Sequence, residues 1–288
     1  MLYPQQNDKR NLLDISGIWD FQIDPEDVGE AEAWFNGLTE SRPMAVPSSW
    51  NEIYDDIRDY LGVAWYAKQS YVPAAWQGQC VMLRVGSANY AAKVWINGVL
   101  VGTHEGGHLP FEFDVTESIA WGSDNTITIQ VENHLSSTRV PAGNVRSAIG
   151  GFMRNFPATT FDFFPYCGLH RAVLLYSVPQ QHISDVTVTT AIDGADGIVT
   201  VDVVSSGTSE GQIRIQGENG DQSTDLIFQN GRAQATIVIS NARLWSTEDP
   251  YLYRLTVTAD EGKDIQDRYA LDIGIRTIAV EGSTILLN

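Results

Sequence analysis

The sequence predicts an all-β fold of two successive sandwiches, on three observations. Apolar residues recur with period two in short runs bounded by Gly, Pro, Asn and Asp. Only one sizeable segment carries helical spacing instead, Glu26 to Leu38. An aromatic-rich first part gives way near Ser177-Val-Pro179 to a part rich in Gly, Asp, Ser and Thr.

In chain order, the first alternating run is Gly17-Ile-Trp-Asp-Phe-Gln-Ile-Asp24. The helical candidate follows, with Val28, Ala31, Trp34 and Phe35 as a short apolar face behind Asp24-Pro25. Val63 to Val72 alternates again, and Val81 to Val85 leads into Ala91 to Ile96. Asn97-Gly98 supplies two residues that tolerate positive φ in a tight hairpin, and Val99-Leu-Val101 returns. Asn125 to Val131 and Ala172 to Tyr176 continue the series. Short strands with regular turns imply packed antiparallel sheets, not a parallel α/β layer.

Trp19, Trp34, Trp50, Trp65, Trp76, Trp95 and Trp121 precede the boundary, and only Trp245 follows it. Beyond it lie about seven short strands, the content of an immunoglobulin-like sandwich. They are Ile183 to Thr190, Ile198 to Val204, Gln212 to Gln216, Thr224 to Phe228, Ala233 to Ile239, Tyr253 to Thr258 and Tyr269 to Arg276. The paired cysteines of that class are missing, so this likeness is architectural. The expected domains are 1–178 and 179–278, and 279–288 reads as a lead-in to a further domain. One stretch breaks the rhythm: His134 to about Phe161 has no sustained alternation, and a long irregular loop of this kind usually carries function.

Composition narrows the function. The 288 residues hold 18 Lys+Arg against 36 Asp+Glu, a net charge of −18. That balance disfavours nucleic acid, whose binding rests largely on Lys and Arg, and equally an anionic membrane surface. At 43% hydrophobic and 19% charged the composition is globular, and no apolar run approaches the roughly 18 residues of a membrane span. The polar start and the absence of an Asn-x-Ser/Thr sequon fit a cytoplasmic protein, with secretion as the alternative. Cys80 and Cys167 make neither a disulfide framework nor a metal site. Metal-ligand spacings, a nucleophile elbow and phosphate- or dinucleotide-binding glycine motifs are all absent from the sequence, so no cofactor is expected.

Two clusters could carry chemistry. Asp162, in Phe161-Asp-Phe-Phe-Pro-Tyr-Cys-Gly-Leu-His170-Arg171, is an acid flanked by aromatics, which suits a sugar's apolar faces and hydroxyls. Taken on composition alone, an Asp capping a turn beneath Phe163, Phe164 and Tyr166 is the favoured reading. In Gly106-Gly107-His108-Leu-Pro-Phe111, His108 could be a ligand contact, but a turn with both glycines at positive φ is favoured. His104 and His170 read as core or turn residues. Cys167 beside His170 resembles a thiol nucleophile with its base only by adjacency in sequence, which says little about space.

The ordered set of motifs resembles the N-terminal part of glycoside hydrolase family 2, and within it the β-glucuronidases. The resemblance runs through Gly17-Ile-Trp-Asp-Phe, Glu40-Ser-Arg-Pro-Met-Ala-Val-Pro-Ser-Ser-Trp-Asn51, Asp56-Ile-Arg-Asp-Tyr60 and Val63-Ala-Trp-Tyr66. It continues through Lys93-Val-Trp-Ile-Asn-Gly98, His104-Glu-Gly-Gly-His-Leu-Pro-Phe111, the Asp162 segment, Leu244-Trp245, Pro250-Tyr-Leu-Tyr253 and Gly274-Ile-Arg276. The Asp-Phe-Phe-x-Tyr-x-Gly-x-His-Arg pattern points to glucuronidases over galactosidases or mannosidases.

This resemblance implies a galactose-binding-like jelly-roll sandwich followed by an immunoglobulin-like one. In the family a TIM barrel comes third and holds both catalytic glutamates and the Asn-x-Lys pair that recognises the glucuronate carboxylate. The chain alone is therefore expected to be inactive, with no catalytic residue of its own. One role carries over: the aspartate of the Asp-Phe-Phe motif, Asp162, is expected to bind sugar hydroxyls, which reverses the composition-only reading. The implied partners are a β-D-glucuronide, the catalytic barrel and further copies in a homo-oligomer. A free-standing carbohydrate-binding module is the alternative, and an adhesive immunoglobulin-like protein a third reading.

Overall fold

The computed structural model describes residues 1–140, 142–145, 157–159, 166–218, 220–261 and 264–288. It is nearly all β and divides into two compact units, Leu12–Ser177 and a second formed by Met1–Asn11 with Val178–Asn288.

In the first unit, period-two alternation produces two facing sheets. The six-stranded sheet runs Arg42–Val46, Gly17–Asp24, Val63–Val72, Ser123–Glu132, Ala91–Ile96 and Val99–Glu105. Asn11–Asp14, Val173–Val178, Cys80–Val85 and Phe111–Asp114 form the four-stranded sheet. Trp19, Phe21, Tyr66, Leu83, Ile127, Ile129 and Leu175 are buried in one core between them. The hairpin turn is where the sequence puts it: Asn97 and Gly98 sit at φ 50° and 80°, and Ile96 pairs with Val99.

The expected helix over Glu26–Leu38 does not form. Asp24, buried at the end of its strand, accepts the amides of Val28 and Gly29 at 2.8 Å each and Trp65 Nε1 at 3.0 Å. These bonds tie the start of the segment back to the strand end. Asp27 and Ala33 take positive φ, 52° and 57°, and only Trp34–Asn36 closes into a 3-10 turn. The apolar face still does its work. Val28, Trp34, Phe35 and Leu38 cover Trp65 and Trp95 in a second, smaller core. Phe35 stacks on Trp95 at 5.7 Å, and Trp95 on Trp65 at 5.1 Å.

The second unit has the expected seven strands. Ile183–Asp193, Asp196–Ser205 and Arg232–Ile239 form one sheet. Gly220–Ile227, Glu210–Gly217, Tyr253–Glu261 and Asp264–Ile273 form the other. Val199, Val201, Val203, Ile213, Ile215, Leu255 and Val257 fill the space between. The first eleven residues, read from sequence as part of the first domain, join this unit instead. Arg10 makes a buried bidentate pair with Asp267, and Asn7 and Tyr3 bond to Arg268 and Tyr269.

A short hairpin, Ile278–Glu281 with Thr284–Leu287, follows these strands. Ile278, Val280 and Ile285 are 65–76% exposed. Among the described residues, no helix is long and apolar enough to cross a membrane.

Candidate functional site

Asp162 lies outside the described residues, as does most of the 146–165 stretch. What the structure places are both roots of the connection that carries it, and a short antiparallel pairing of Gly143–Val145 with Pro157–Thr159 inside the expected loop.

The first root leaves the strand Ser123–Glu132, whose last residue pairs with both Val63 and Ala91. Arg139 returns to this strand end. It donates to Glu132 through Nη1 and Nη2 at 3.0 and 3.2 Å, to Glu105 at 3.0 Å and to the His134 carbonyl at 2.8 Å. His134 Nδ1 lies 3.1 Å from the same Glu132 carboxylate. The hydrogen bond from His134, followed by those from Arg139, holds the Glu132 carboxyl down at about 2.

The second root is Tyr166–His170. Gly168 and Leu169 pair with Asn89 and Ala88 in a two-residue ladder. Gly168 sits at φ 94°, where a Cβ would run into the Tyr66 hydroxyl, so glycine is required there. A buried polar network surrounds this root. Asn89 Nδ2 donates to the Tyr166 carbonyl at 3.0 Å, and the Cys167 amide donates to Ser49 Oγ at 3.0 Å. Ser49 in turn donates to Asn51 Oδ1 at 2.9 Å, and Asn51 Nδ2 to the Arg58 carbonyl at 2.6 Å. Asn133 joins the two roots: its Oδ1 accepts the Gly62 amide at 2.7 Å, while Nδ2 donates to the Tyr60 carbonyl at 3.1 Å and to Cys167 Sγ at 2.6 Å.

The other sequence candidates have structural places. Burial pushes the Cys167 thiol up to about 12, which makes it a hydrogen-bonded core residue and a poor nucleophile. His104 stacks on Phe111 at 4.2 Å and bonds the Gly106 carbonyl at 3.0 Å. His108 is exposed, with its ring edge-on to Tyr90. Burial lowers the His170 imidazole, favouring its neutral form. Of the two glycines expected at positive φ, only Gly106 adopts it, at 135°. Gly107 is needed for a different reason: a Cβ there would meet the Tyr90 ring at 2.5 Å. Among the described residues, no group of three or more His, Cys, Asp or Glu is arranged to hold a metal ion.

Sequence reading missed the network residues Ser49, Asn51, Asn89 and Asn133. Asn51 closes one of the motif stretches and Asn133 lies two residues beyond a strand run, but nothing in either position distinguishes a buried Asn from a solvated one. The seven tryptophans of the first unit are all accounted for by packing: six are at most 8% exposed and Trp121 is half-buried against the core.

Comparison with known proteins places these features. The family model described as "Glycosyl hydrolases family 2, sugar binding domain" matches residues 12–179, and "Glycosyl hydrolases family 2" matches residues 181–276. A beta-glucuronidase of Paenibacillus borealis is 38% identical over 300 residues, covering 100% of this chain and 49% of its own length. The beta-glucuronidase of Canis lupus familiaris is 37% identical over 318 residues, covering 100% and 48%. A solved structure of b-glucuronidase from Ruminococcus gnavus in complex with D-glucuronic acid superposes with a TM-score of 0.91 at 33% identity, covering 100% of this chain and 50% of that one. The chain thus spans about half the length of the curated relatives it matches.

Proposed function

The chain belongs to glycoside hydrolase family 2, and on that premise we propose that it is the non-catalytic N-terminal portion of a β-glucuronidase. The observation that carries this reading is coverage. Two family domains follow each other in order along the chain, and β-glucuronidase relatives match its whole length with about half of theirs.

In this reading the intact enzyme is this chain together with a catalytic TIM barrel, and its substrate is a β-D-glucuronide. Cleavage proceeds with retention. One carboxylic acid of the barrel protonates the leaving oxygen, while a carboxylate ~5–5.5 Å away attacks the anomeric carbon. The present chain contributes Asp162, whose carboxylate accepts hydrogen bonds from sugar hydroxyls and holds the ring in a reactive pose. The exposed apolar residues of the Ile278–Leu287 hairpin suit packing against the barrel, since apolar surface of this kind marks interaction sites.

A free-standing carbohydrate-binding module fits less well. The β-glucuronidase relatives match the whole chain, in the order of its two family domains, as the first half of a longer protein. Asp162→Ala in the intact enzyme is expected to lower kcat/KM for an aryl β-D-glucuronide by roughly 10- to 100-fold, the scale of lost substrate orientation. Wild-type kinetics in that variant would remove Asp162 from the substrate site.

A further inference from the structure

Two hairpin turns of this chain carry the same dipeptide in the same backbone conformation, but they hold its side chain differently. Asn97-Gly98 sits at φ 50° and 80° between the paired residues Ile96 and Val99. Asn230-Gly231 sits at φ 52° and 74° between Gln229 and Arg232, whose amides and carbonyls bond each other at 2.8 and 3.1 Å. Positive φ at both central residues of a two-residue loop is the type I′ turn of a β-hairpin. Both asparagines lie on the surface. Asn97 is anchored there. Its Nδ2 donates to the Ser118 carbonyl and to Asn125 Oδ1 at 2.8 Å each, and its Oδ1 accepts the Thr126 amide at 2.9 Å. The Asn230 side chain has no hydrogen-bond partner among the described residues.

We infer that Asn230 is a site of spontaneous deamidation, with water as the only co-reactant. The backbone nitrogen of Gly231 attacks the side-chain carbonyl carbon of Asn230, and the new N–C bond closes a five-membered succinimide. The side-chain nitrogen leaves as ammonia, carrying the proton that the Gly231 amide gives up. Water then opens the ring at either carbonyl, leaving aspartate or iso-aspartate, and nothing is oxidised or reduced. Ring closure places the Gly231 nitrogen and the Asn230 side-chain carbon on the same side of the Cα–C bond. That geometry needs ψ of about −120°, which with positive φ is the first central position of a type II′ turn. Type II′ is the other two-residue turn that hairpins favour. A flip of one peptide plane therefore brings Asn230 to the reactive geometry while the strands stay paired, and glycine at the next position puts no side chain in the way. Asn97 has the same backbone freedom but must first release its three hydrogen bonds. At Asn36-Gly37 the attacking nitrogen is itself engaged, since the Gly37 amide donates to the Trp34 carbonyl at 3.0 Å. The remaining Asn-Gly pair begins at Asn219, outside the described residues.

The test follows both turns in one sample. The full chain is held in mildly alkaline buffer, then digested with chymotrypsin, whose cut at Phe228 separates Asn230 from Asn219. Mass spectrometry reads the mass gain of deamidation, and an isoaspartyl methyltransferase reads iso-aspartate. The Asn230 peptide is expected to convert roughly 10- to 100-fold faster than the Asn97 peptide, the scale set by the hydrogen bonds that Asn97 must release. In guanidinium chloride neither side chain is anchored, and the gap between the two peptides is expected to close. Asn230→Gln, which would need a six-membered ring, is expected to remove the product at that peptide and leave Asn97 unchanged. Equal rates at the two peptides in the native chain would overturn the inference, as would faster conversion at Asn97. A gap of the same size in guanidinium chloride would also overturn it, because neighbouring sequence and not the fold would then set the rates. So would an Asn230 peptide that stays intact in the native chain while the denatured chain converts.

Discussion

Replacing Arg10 by Met should destabilise the second unit severely. Arg10 is 3% exposed and Asp267 0%. Arg10 Nε donates to Asp267 Oδ1 at 2.9 Å, and Nη2 donates to Oδ2 at 2.5 Å and to the Ile183 carbonyl at 2.6 Å. Methionine fills the space of the side-chain stem but leaves the carboxylate with two backbone donors, the amides of Ile183 and Arg268 at 2.8 Å each, and no cation. Removing one member of a buried ion pair costs about 3–5 kcal/mol, because the remaining charge stays desolvated. For a unit of this size that converts to a melting temperature lower by about 10–20 °C. Differential scanning calorimetry reads it directly. Arg10→Met combined with Asp267→Leu should recover most of the loss, since no uncompensated charge remains. A single variant melting within about 3 °C of wild type would refute the reasoning, on the same conversion.

Two further outcomes follow from the first unit. Glu132 has its carboxyl pKa depressed to about 2 by His134 and then Arg139, so the stability it contributes is fully present above its ordinary range and is lost as pH falls through about 2. With a third of the side chain in solvent, that contribution is about 1–2 kcal/mol. The stability gap between wild type and Glu132→Gln, measured by urea titration, should therefore close between about pH 4.5 and pH 2; a gap that is constant with pH would contradict it. For the cysteines, burial and a thiol pushed up to about 12 should keep Cys167 unlabelled by an aromatic disulfide reagent at pH 8, while half-buried Cys80 reacts. Equal labelling of both in the native protein would show that the Cys167 site opens.

How much of this was legible in the sequence depends on the range of the interaction. Gly17–Asp24, Val63–Val72 and Ala91–Ile96 fall where period-two alternation puts them, because each strand buries one face in a core it shares with its neighbours. Asn97-Gly98 is equally local: the turn needs positive φ twice, and those residues tolerate it. The Glu26–Leu38 segment has the spacing of a helix, but positive φ at Asp27 and Ala33 interrupts it, and neither an Asp nor an Ala by itself signals that conformation in the sequence. The attachment of Met1–Asn11 to the second unit had no local signal, since Arg10 and Asp267 are 257 positions apart. The same holds for the site. Asp162 stands out only through its motif, and Asn89 and Asn133 become significant only when folding buries them beside Cys167.

Hydrolysis of a chromogenic aryl β-D-glucuronide tests the central claim most directly, measured with this polypeptide alone and again after adding the separately expressed barrel. The expected result is no turnover by the 288 residues alone and turnover once the barrel is present. Turnover by the chain alone would contradict the account, because it would require a catalytic carboxylate pair within these two sandwiches.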